Sequence, residues 1–451
     1  MKLPMPSPST DALMDKIVRS PEQLRRILNV DTSGDDYLHW DQLRYKEPPE
    51  GLSHEEWWMA LKMRRRQQSR KIDLKDKMGR NFWFSMTDEL LQMSEEIGRR
   101  AGAINSPGSL RLDQSSKITY VVRSLVEEAV TSSQLEGAST SRRDAVAMLD
   151  SGRSPMTKSE VMILNNYQAM QVVKETFGEK TSASKVKELH RMLTDGTLEN
   201  PDDAGRLETA DHERVAVWDD SSGQVLHQPP AAEELPSRLE ALCAFANGPT
   251  AGEPYLPPVV RAIVVHFMFG YDHYFADGNG RTARTMFYWS MLHEGYWLSE
   301  YVTISKLLRK APSRYASAYI YTEDDESDLT YFIHYQLRIF IRALDELDEY
   351  IDQKLNETKK LRQVLDDPNS ELSYRQADVV RHLADEESSS IRAAEYASRY
   401  KVSGQTARND LNELSDKGYL KKRRLGSSNS WSVSESLASR MFGPNSKITQ
   451  N

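Results

Sequence analysis

His273–Arg284 reads HYFADGNGRTAR. A histidine, an acid, a Gly-Asn-Gly turn and two arginines fall within about three helical turns of chain. Read as chemistry, the segment holds a general base, a candidate metal ligand, an anion cradle and two phosphate clamps. Nucleotide chemistry needs such parts close together, because phosphoryl and nucleotidyl transfer depend on positioning and on stabilising charge.

What flanks the segment sets the fold. Pro258–Asp272 contains VVRAIVVHFMF, apolar nearly all round, which predicts a central buried helix. A second helix is expected to begin at the Gly-Asn-Gly turn and run through ARTMFYWSMLHEG. His273 then falls at the end of the buried helix, with its imidazole toward a cleft, where a group of ordinary pKa ~6.5 can take a proton from a hydroxyl. Asp277 is the hard oxygen ligand that suits Mg²⁺ between phosphates. Gly278 and Gly280 permit positive φ, and with Asn279 their N–H groups would form an anion nest at a helix N-terminus. Arg281 and Arg284 are three apart and would project from one face toward neighbouring phosphates. His266, inside the apolar helix, reads as a satisfied core residue. A metal-dependent phosphohydrolase built on Asp272, His273 and Asp277 would need further clusters of ligand spacing, and the other histidines are scattered. No P-loop or kinase signature is present.

The chain has 451 residues, room for two to four domains at roughly 150 residues each. A formal net charge of −8 disfavours nucleic-acid binding over the whole surface but permits a local basic patch. One cysteine, Cys243, rules out an intramolecular disulfide and suits a reducing compartment. The N-terminal stretch lacks a signal-peptide core, and the apolar run Ala262–Phe269 is far short of the ~20 residues of a membrane span, so a cytoplasmic, soluble protein is expected.

The fold class predicted is mainly α. Residues 1–114 read as an N-terminal helical region; the run WWMALKMRRRQQSRKIDLKDK from Trp57 reads as a solvated helix face, with nucleic-acid contact the alternative. Residues 115–361 read as a helical core. Ile118, Val121, Val122, Leu125, Val126 and Val130 form one stripe on a helix capped by Ser115 or Ser116 and ended by Gly137. Arg214–His227 breaks the helical theme and reads as a β-hairpin turning at Asp219–Gly223. Leu361–Glu371 reads as a linker, residues 371–435 as a compact module, and 436–451 as a tail.

The central segment resembles the signature of the Fic family, HxFx(D/E)GNGRxxR. It matches at His273, Phe275, Asp277, Gly278, Asn279, Gly280, Arg281 and Arg284. It departs at Tyr274, where the family usually has proline, and at Asp272, where an apolar residue is more common; Tyr274 is expected to loosen the turn slightly. The resemblance covers about Ser115 to Leu361. It implies a protein adenylyltransferase that moves AMP from ATP, with Mg²⁺, to a Ser, Thr or Tyr hydroxyl. In that scheme His273 deprotonates the hydroxyl, Phe275 locks the loop and Asp277 holds Mg²⁺. Gly278, Asn279, Gly280 and Arg281 bind phosphate, and Arg284 reaches the γ-phosphate. The hairpin becomes a target-docking flap acting through Val215, Val217 and Val225 by strand addition. Tyr315 and Tyr319 are candidate adenine contacts.

Ser132–Gly137 reads SSQLEG and resembles the family's inhibitory motif (S/T)xxxE(G/N), which implies autoinhibition through Ser132, Glu136 and Gly137. Glu136 at a helix C-terminus opposes the dipole unless a cation is near, and Arg284 is the obvious cation. The same glutamate serves, in some members, to remove AMP, so an AMP-removing hydrolase is an alternative. Transfer of phosphate or phosphocholine is another. Residues 371–435 resemble a winged helix-turn-helix, with Ser403, Gln405, Thr406 and Arg408 opening the recognition helix and Lys417, Lys421, Lys422, Arg423 and Arg424 at the wing. Gln405, Thr406, Arg408 and Lys422 are the candidate nucleic-acid contacts, which makes a DNA-binding regulator with a nucleotide-responsive core a further reading. The partners expected are a protein target, the chain itself among the candidates, and DNA through the C-terminal module; a homodimer is the candidate oligomer.

Overall fold

In the computed structural model the described residues are 3–32, 36–102, 114–210, 214–219, 223–249, 254–365, 372–385, 390–425 and 428–437. Contacts divide the chain into two units, Met1–Ser109 with Thr119–Asp345, and Leu110–Ile118 with Glu346–Asn451.

The first unit begins with α1 (Thr10–Val18), α2 (Pro21–Asn29), α3 (Trp40–Leu43) and α4 (His54–Gln67). Ser9, Ser20 and Ser53 accept first-turn N–H groups, and Ser53 with Glu56 completes a reciprocal cap. Leu13, Ile17, Ile27 and Leu43 pack about Trp57 and Trp58. The charge run from Trp57 is not a solvated helix face, which corrects the expectation. Helix α4 ends at Gln67, and SRKIDLK becomes β1 (Ser69–Lys75), antiparallel to β2 (Asn81–Ser85). Alternation decides this: Ile72 and Leu74 are buried while Lys71, Asp73 and Lys75 face out. Lys62 and Arg65 also turn inward. Lys62 Nζ lies 2.7 Å from Asp325 Oδ1, and Arg65 donates to Tyr331 Oη at 2.8 Å. Trp83 of β2 donates its N–H to the Ser327 carbonyl at 3.3 Å and accepts from Leu329 N–H at 2.8 Å.

Beyond α5 (Asp88–Ala101) lies α6 (Gln114–Leu135). Val126, Ala129 and Val130 of α6 pack against Ala145 and Met148 of α7 (Arg142–Ser151) and Ile163 of α8 (Lys158–Thr176). The stripe is as expected there; the side chains of Ser115, Ser116, Ile118, Val121 and Val122 lie outside the described residues. Gly137 ends the helix at φ 89°, and Ala138 N–H returns to the Ser133 carbonyl at 3.0 Å. After α9 (Ala183–Thr194) come β3 (Val217–Asp219) and β4 (Gln224–His227), the expected hairpin, whose turn residues 220–222 lie outside the described set. Then follow α10 (Leu235–Ala246), α11 (Pro258–Asp272), α12 (Asn279–His293), α13 (Ile304–Lys310), α14 (Pro312–Asp324) and α15 (Thr330–Leu365). Helix α11 is buried from Val259 to Phe269, as its apolar circumference requires, and α12 packs along it. Each Val, Ile, Met or Phe buried there contributes about 1.5–3 kcal/mol. Helix α15 runs five residues into the stretch read as a linker, of which 366–371 lie outside the described residues.

The second unit contains α16 (Tyr374–Asp385), β5 (Ser390–Arg392), α17 (Ala393–Tyr400), α18 (Gly404–Asp416), β6 (Leu420–Leu425) and β7 (Ser428–Val433). Its sheet order is β5-β7-β6, around a core of Val379, Leu383, Tyr396, Leu411, Leu414 and Trp431. Helix α17 starts only at Ala393, because Ile391 is buried as a strand residue opposite Trp431. Leu437 packs in this core, and 438–451 lie outside the described residues. Among the described residues no helix is long and apolar enough to cross a membrane.

Candidate active site

His273 closes α11 as its C-cap, in left-handed backbone at φ 49°, ψ 60°. For a residue with a Cβ this costs roughly 1–2 kcal/mol, so surrounding contacts must hold it. Burial first, and then the neighbouring charges of His227 and Arg214, push its pKa down to about 4, with the Gly270 carbonyl and Glu136 opposing. The imidazole is therefore neutral at pH 7, the form that can accept a proton.

The two departures from the family signature prove to be one feature. Tyr274 Oη donates to Asp272 Oδ2 at 2.6 Å, and Arg238 Nε of α10 donates to Asp272 Oδ1 at 2.8 Å. Tyr274 and Asp272 are both fully buried. The expected loosening at Tyr274 is absent, because the phenol anchors the turn through the acid two residues before it. An aliphatic residue at 272 would leave that hydroxyl unpaired.

Phe275 stacks face to face on His190 of α9, ring centroids 3.7 Å apart. His190 Nδ1 accepts from Gly205 N–H at 2.9 Å, so Nε2 carries the proton and donates to the Asp277 carbonyl at 2.8 Å. Burial holds the His190 pKa at about 4 and keeps it neutral. Sequence reading missed His190; its only signal was a histidine on the apolar face of α9. Asn279 closes the same loop, its side chain accepting from Phe275 N–H at 3.0 Å and donating to the Phe275 carbonyl at 2.5 Å. Gly278 has φ 81°, and a Cβ there would meet Thr194 at 2.7 Å. Asp277 is exposed beside this turn, with Oδ1 accepting from Gly278 N–H at 2.5 Å. Among the described residues no group of three or more His, Cys, Asp or Glu could hold a metal. One exposed carboxylate fits Mg²⁺ that draws its other ligands from phosphate and water.

The anion cradle at the start of α12 faces a carboxylate. A Cβ on Gly280 would lie 2.2 Å from Glu136 Oε1 and 3.0 Å from Arg284 Nη1. Arg284 Nη2 donates to Glu136 Oε1 at 3.0 Å and to the Ser132 carbonyl at 2.9 Å, and Nε donates to Ser132 Oγ at 2.8 Å. Burial works against the Arg284 charge, and Glu136, Tyr315 and Glu128 together more than offset it, so its pKa is raised. Glu136 thus meets Arg284, the cation expected for it, and Ser132 adds two bonds to the same guanidinium that the sequence did not foretell. Arg281 is separate: its Nη1 donates to the Leu193 carbonyl at 2.7 Å, and burial lowers its pKa against the pull of Glu136 and Asp277.

Residues 180–291 match the family model described as Fic/DOC family. This chain carries a Fic domain. Residues 375–430 match a DeoR-like helix-turn-helix domain. A protein adenylyltransferase Fic of Nematostella vectensis is 27% identical over 193 residues, 42% of this chain and 41% of that protein, so the chain spans less than half of this relative. The crystal structure of a Fic family protein from Desulfovibrio desulfuricans G20 aligns with a TM-score of 0.51 at 17% identity, over 78% of this chain and 98% of that one, a likeness of fold. Fic-1 of C. elegans aligns at 0.45 and 18%, over 58% of this chain and 72% of that chain.

Around the Fic domain's motif the remaining candidates divide. Of the hairpin candidates Val215 and Val225 are exposed, at 40% and 41%, and Val217 is half-buried; Trp218, which the sequence did not single out, is exposed at 55%. Tyr315 and Tyr319, one turn apart on α14, stand beside Arg284 and His266: Tyr315 Oη is 2.8 Å from His266 Nε2, and a Cβ on Gly270 would meet Tyr319 Oη at 2.4 Å. His266 is buried as expected but is not fully satisfied: Nε2 meets Tyr315 Oη, and Nδ1 is left unpaired. In the helix-turn-helix domain Gln405 and Arg408 are exposed on α18, and Lys421, Lys422, Arg423 and Arg424 are exposed on β6. Thr406 is turned into the cap of α18, Oγ1 2.8 Å from Ser403 Oγ. Lys422 donates to Asn412 Oδ1 at 3.0 Å.

Proposed function

We propose that the Fic domain transfers AMP from ATP to a Ser, Thr or Tyr hydroxyl of a protein, and that Glu136 restrains the transfer. The observation that carries this reading is the Glu136 carboxylate set against Gly280 at the N-terminus of α12 while bonded to Arg284. That place suits the oxygens of a phosphate, which can draw on N–H groups at the helix start and on the same guanidinium. With Glu136 withdrawn, Arg284 is free for the γ-phosphate, and the backbone of Gly278–Gly280 for the phosphates before it. His273 takes the proton of the target hydroxyl. The hydroxyl oxygen bonds to the α-phosphorus as the bond to the bridging oxygen breaks, and pyrophosphate leaves. Asp277 would hold Mg²⁺, which neutralises phosphate charge. Tyr315 and Tyr319 flank the adenine, and the edge of the hairpin receives the target strand.

The test uses ATP labelled at the α- or the γ-phosphate, with Mg²⁺. Glu136→Gly is expected to raise α-label on protein tenfold or more, and His273→Ala added to it to remove that gain, as loss of a general base costs about 10²–10⁴ in rate. Label from the γ-phosphate alone, or no response to Glu136→Gly, would refute the reading.

The helix-turn-helix domain supports DNA as a second partner, through Gln405, Arg408 and Lys422. Replacing Arg408 and Lys422 with alanine is expected to abolish a gel shift with duplex DNA. A shift that ignores both changes would count against it.

A further inference from the structure

Three successive carbonyls at the end of α11 are bonded by the two roots of the hairpin. His227, the last residue of β4, donates from Nε2 to the Tyr271 carbonyl at 2.6 Å. Arg214, two residues before Ala216 and at the other root, donates from Nη2 to the Asp272 carbonyl at 2.8 Å and to the His273 carbonyl at 3.0 Å. Each anchor is itself held. Arg214 Nε donates to the Pro230 carbonyl at 2.9 Å, and its Nη1 pairs with Glu208 Oε2. His227 Nδ1 lies 2.7 Å from Glu323 Oε1. Glu208 reaches round the other side, its N–H donating to the Tyr274 carbonyl at 3.0 Å. The Arg214 and Glu208 side chains are 9% and 10% exposed, so these bonds form away from solvent.

The geometry has a direct meaning. A histidine in left-handed backbone keeps that conformation only under outside restraint. Here Arg214 grips the peptide groups on both sides of the His273 Cα, and Glu208 grips the next one. Val215, the first exposed apolar residue of the hairpin, is bonded in sequence to Arg214. Any shift of the hairpin when a target strand docks is therefore delivered to the backbone of His273.

We propose that Arg214, with Glu208 and His227, is a positioning residue that sets the presentation of the His273 imidazole and ties it to occupancy of the hairpin. The inference rests on the AMP-transfer reading. It predicts that Arg214 governs turnover rather than nucleotide affinity.

The experiment uses the full chain carrying Glu136→Gly, with α-labelled ATP. Arg214→Met is expected to lower kcat for AMP transfer tenfold or more while KM for ATP stays within twofold, and Arg214→Lys is expected to restore part of it. Arg214→Met strands the Glu208 carboxylate, so Glu208→Gln is added to remove it. That pair is expected to regain thermal stability without regaining turnover. Recovery of turnover together with stability would show a merely structural role and overturn the proposal. Hydrogen exchange of residues 271–280 supplies a readout that needs no activity, and Arg214→Met or Arg214→Lys is expected to speed it severalfold. If the Glu136→Gly chain transfers no AMP, the AMP-transfer reading fails, and unchanged exchange in 271–280 would separately sink the positioning claim.

Discussion

The motif loop at 273–280 and the hairpin at 214–227 adjoin, yet their side chains are treated in opposite ways. In the loop, Tyr274, Phe275 and Asn279 are buried, and each has a named partner in Asp272, His190 or the chain itself. In the hairpin, Val215, Trp218 and Val225 stand in solvent. A reacting group must be held to a fraction of an ångström, so its supports are drawn from the core. A surface that receives another chain gains from being left unfinished, since its apolar groups are buried only when the partner arrives. The hairpin roots, Arg214 and His227, belong to the first kind, and its exposed blades have the character that the proposed target docking requires.

That contrast can be broken most severely at Phe275. Phe275→Ala removes the ring stacked on His190 and is expected to cost about 3–5 kcal/mol, seen as a fall in thermal midpoint together with loss of nucleotide binding. A midpoint unchanged by the substitution would show that the loop is not built from the core. The next effect is pH dependence. His190, His266 and His273 have folded pKa values of about 4, 3 and 4, all pushed down by burial. For a depressed histidine the unfolded chain binds the extra proton first. Stability is therefore full above about pH 6.5 and declines as pH falls toward 4, by on the order of 1–3 kcal/mol per histidine. Denaturant titrations at pH 7 and pH 5 are expected to show this loss, and His190→Gln to reduce it. The smallest stability effect belongs to the hairpin. Trp218→Ala is expected to change unfolding free energy by no more than about 0.5 kcal/mol, yet to raise KM for the protein target severalfold with KM for ATP unchanged. A large stability loss would place Trp218 with the loop instead.

Much of this was legible in the sequence. The apolar circumference of α11, the Gly-Asn-Gly start of α12 and the SSQLEG end of α6 are local signals, and each element lies where its signal placed it. The meeting of Glu136 with Arg284 was foreseen because both belong to motifs of fixed spacing. His190 and Arg238 were not foreseen, since each acts across a long stretch of chain and neither sits in a distinctive local pattern. Asp272 and Tyr274 were seen as two oddities, because their shared hydrogen bond depends on the left-handed turn between them. Strand β1 was hidden inside a run so rich in Lys and Arg that charge obscured the alternation of Ile72 and Leu74.

Trp83 exchanges main-chain bonds with Ser327 and Leu329, and Lys62 meets Asp325 in the interior. A chain shortened to begin at Ser115 would keep Asp325 and lose the cation that answers it, along with the strand bonded to Ser327 and Leu329. The leading segment is thus ill suited to trading between relatives as a free cassette. Lineages that replaced it would have to change the bend before α15 in the same step, so the two stretches are expected to be inherited as a pair.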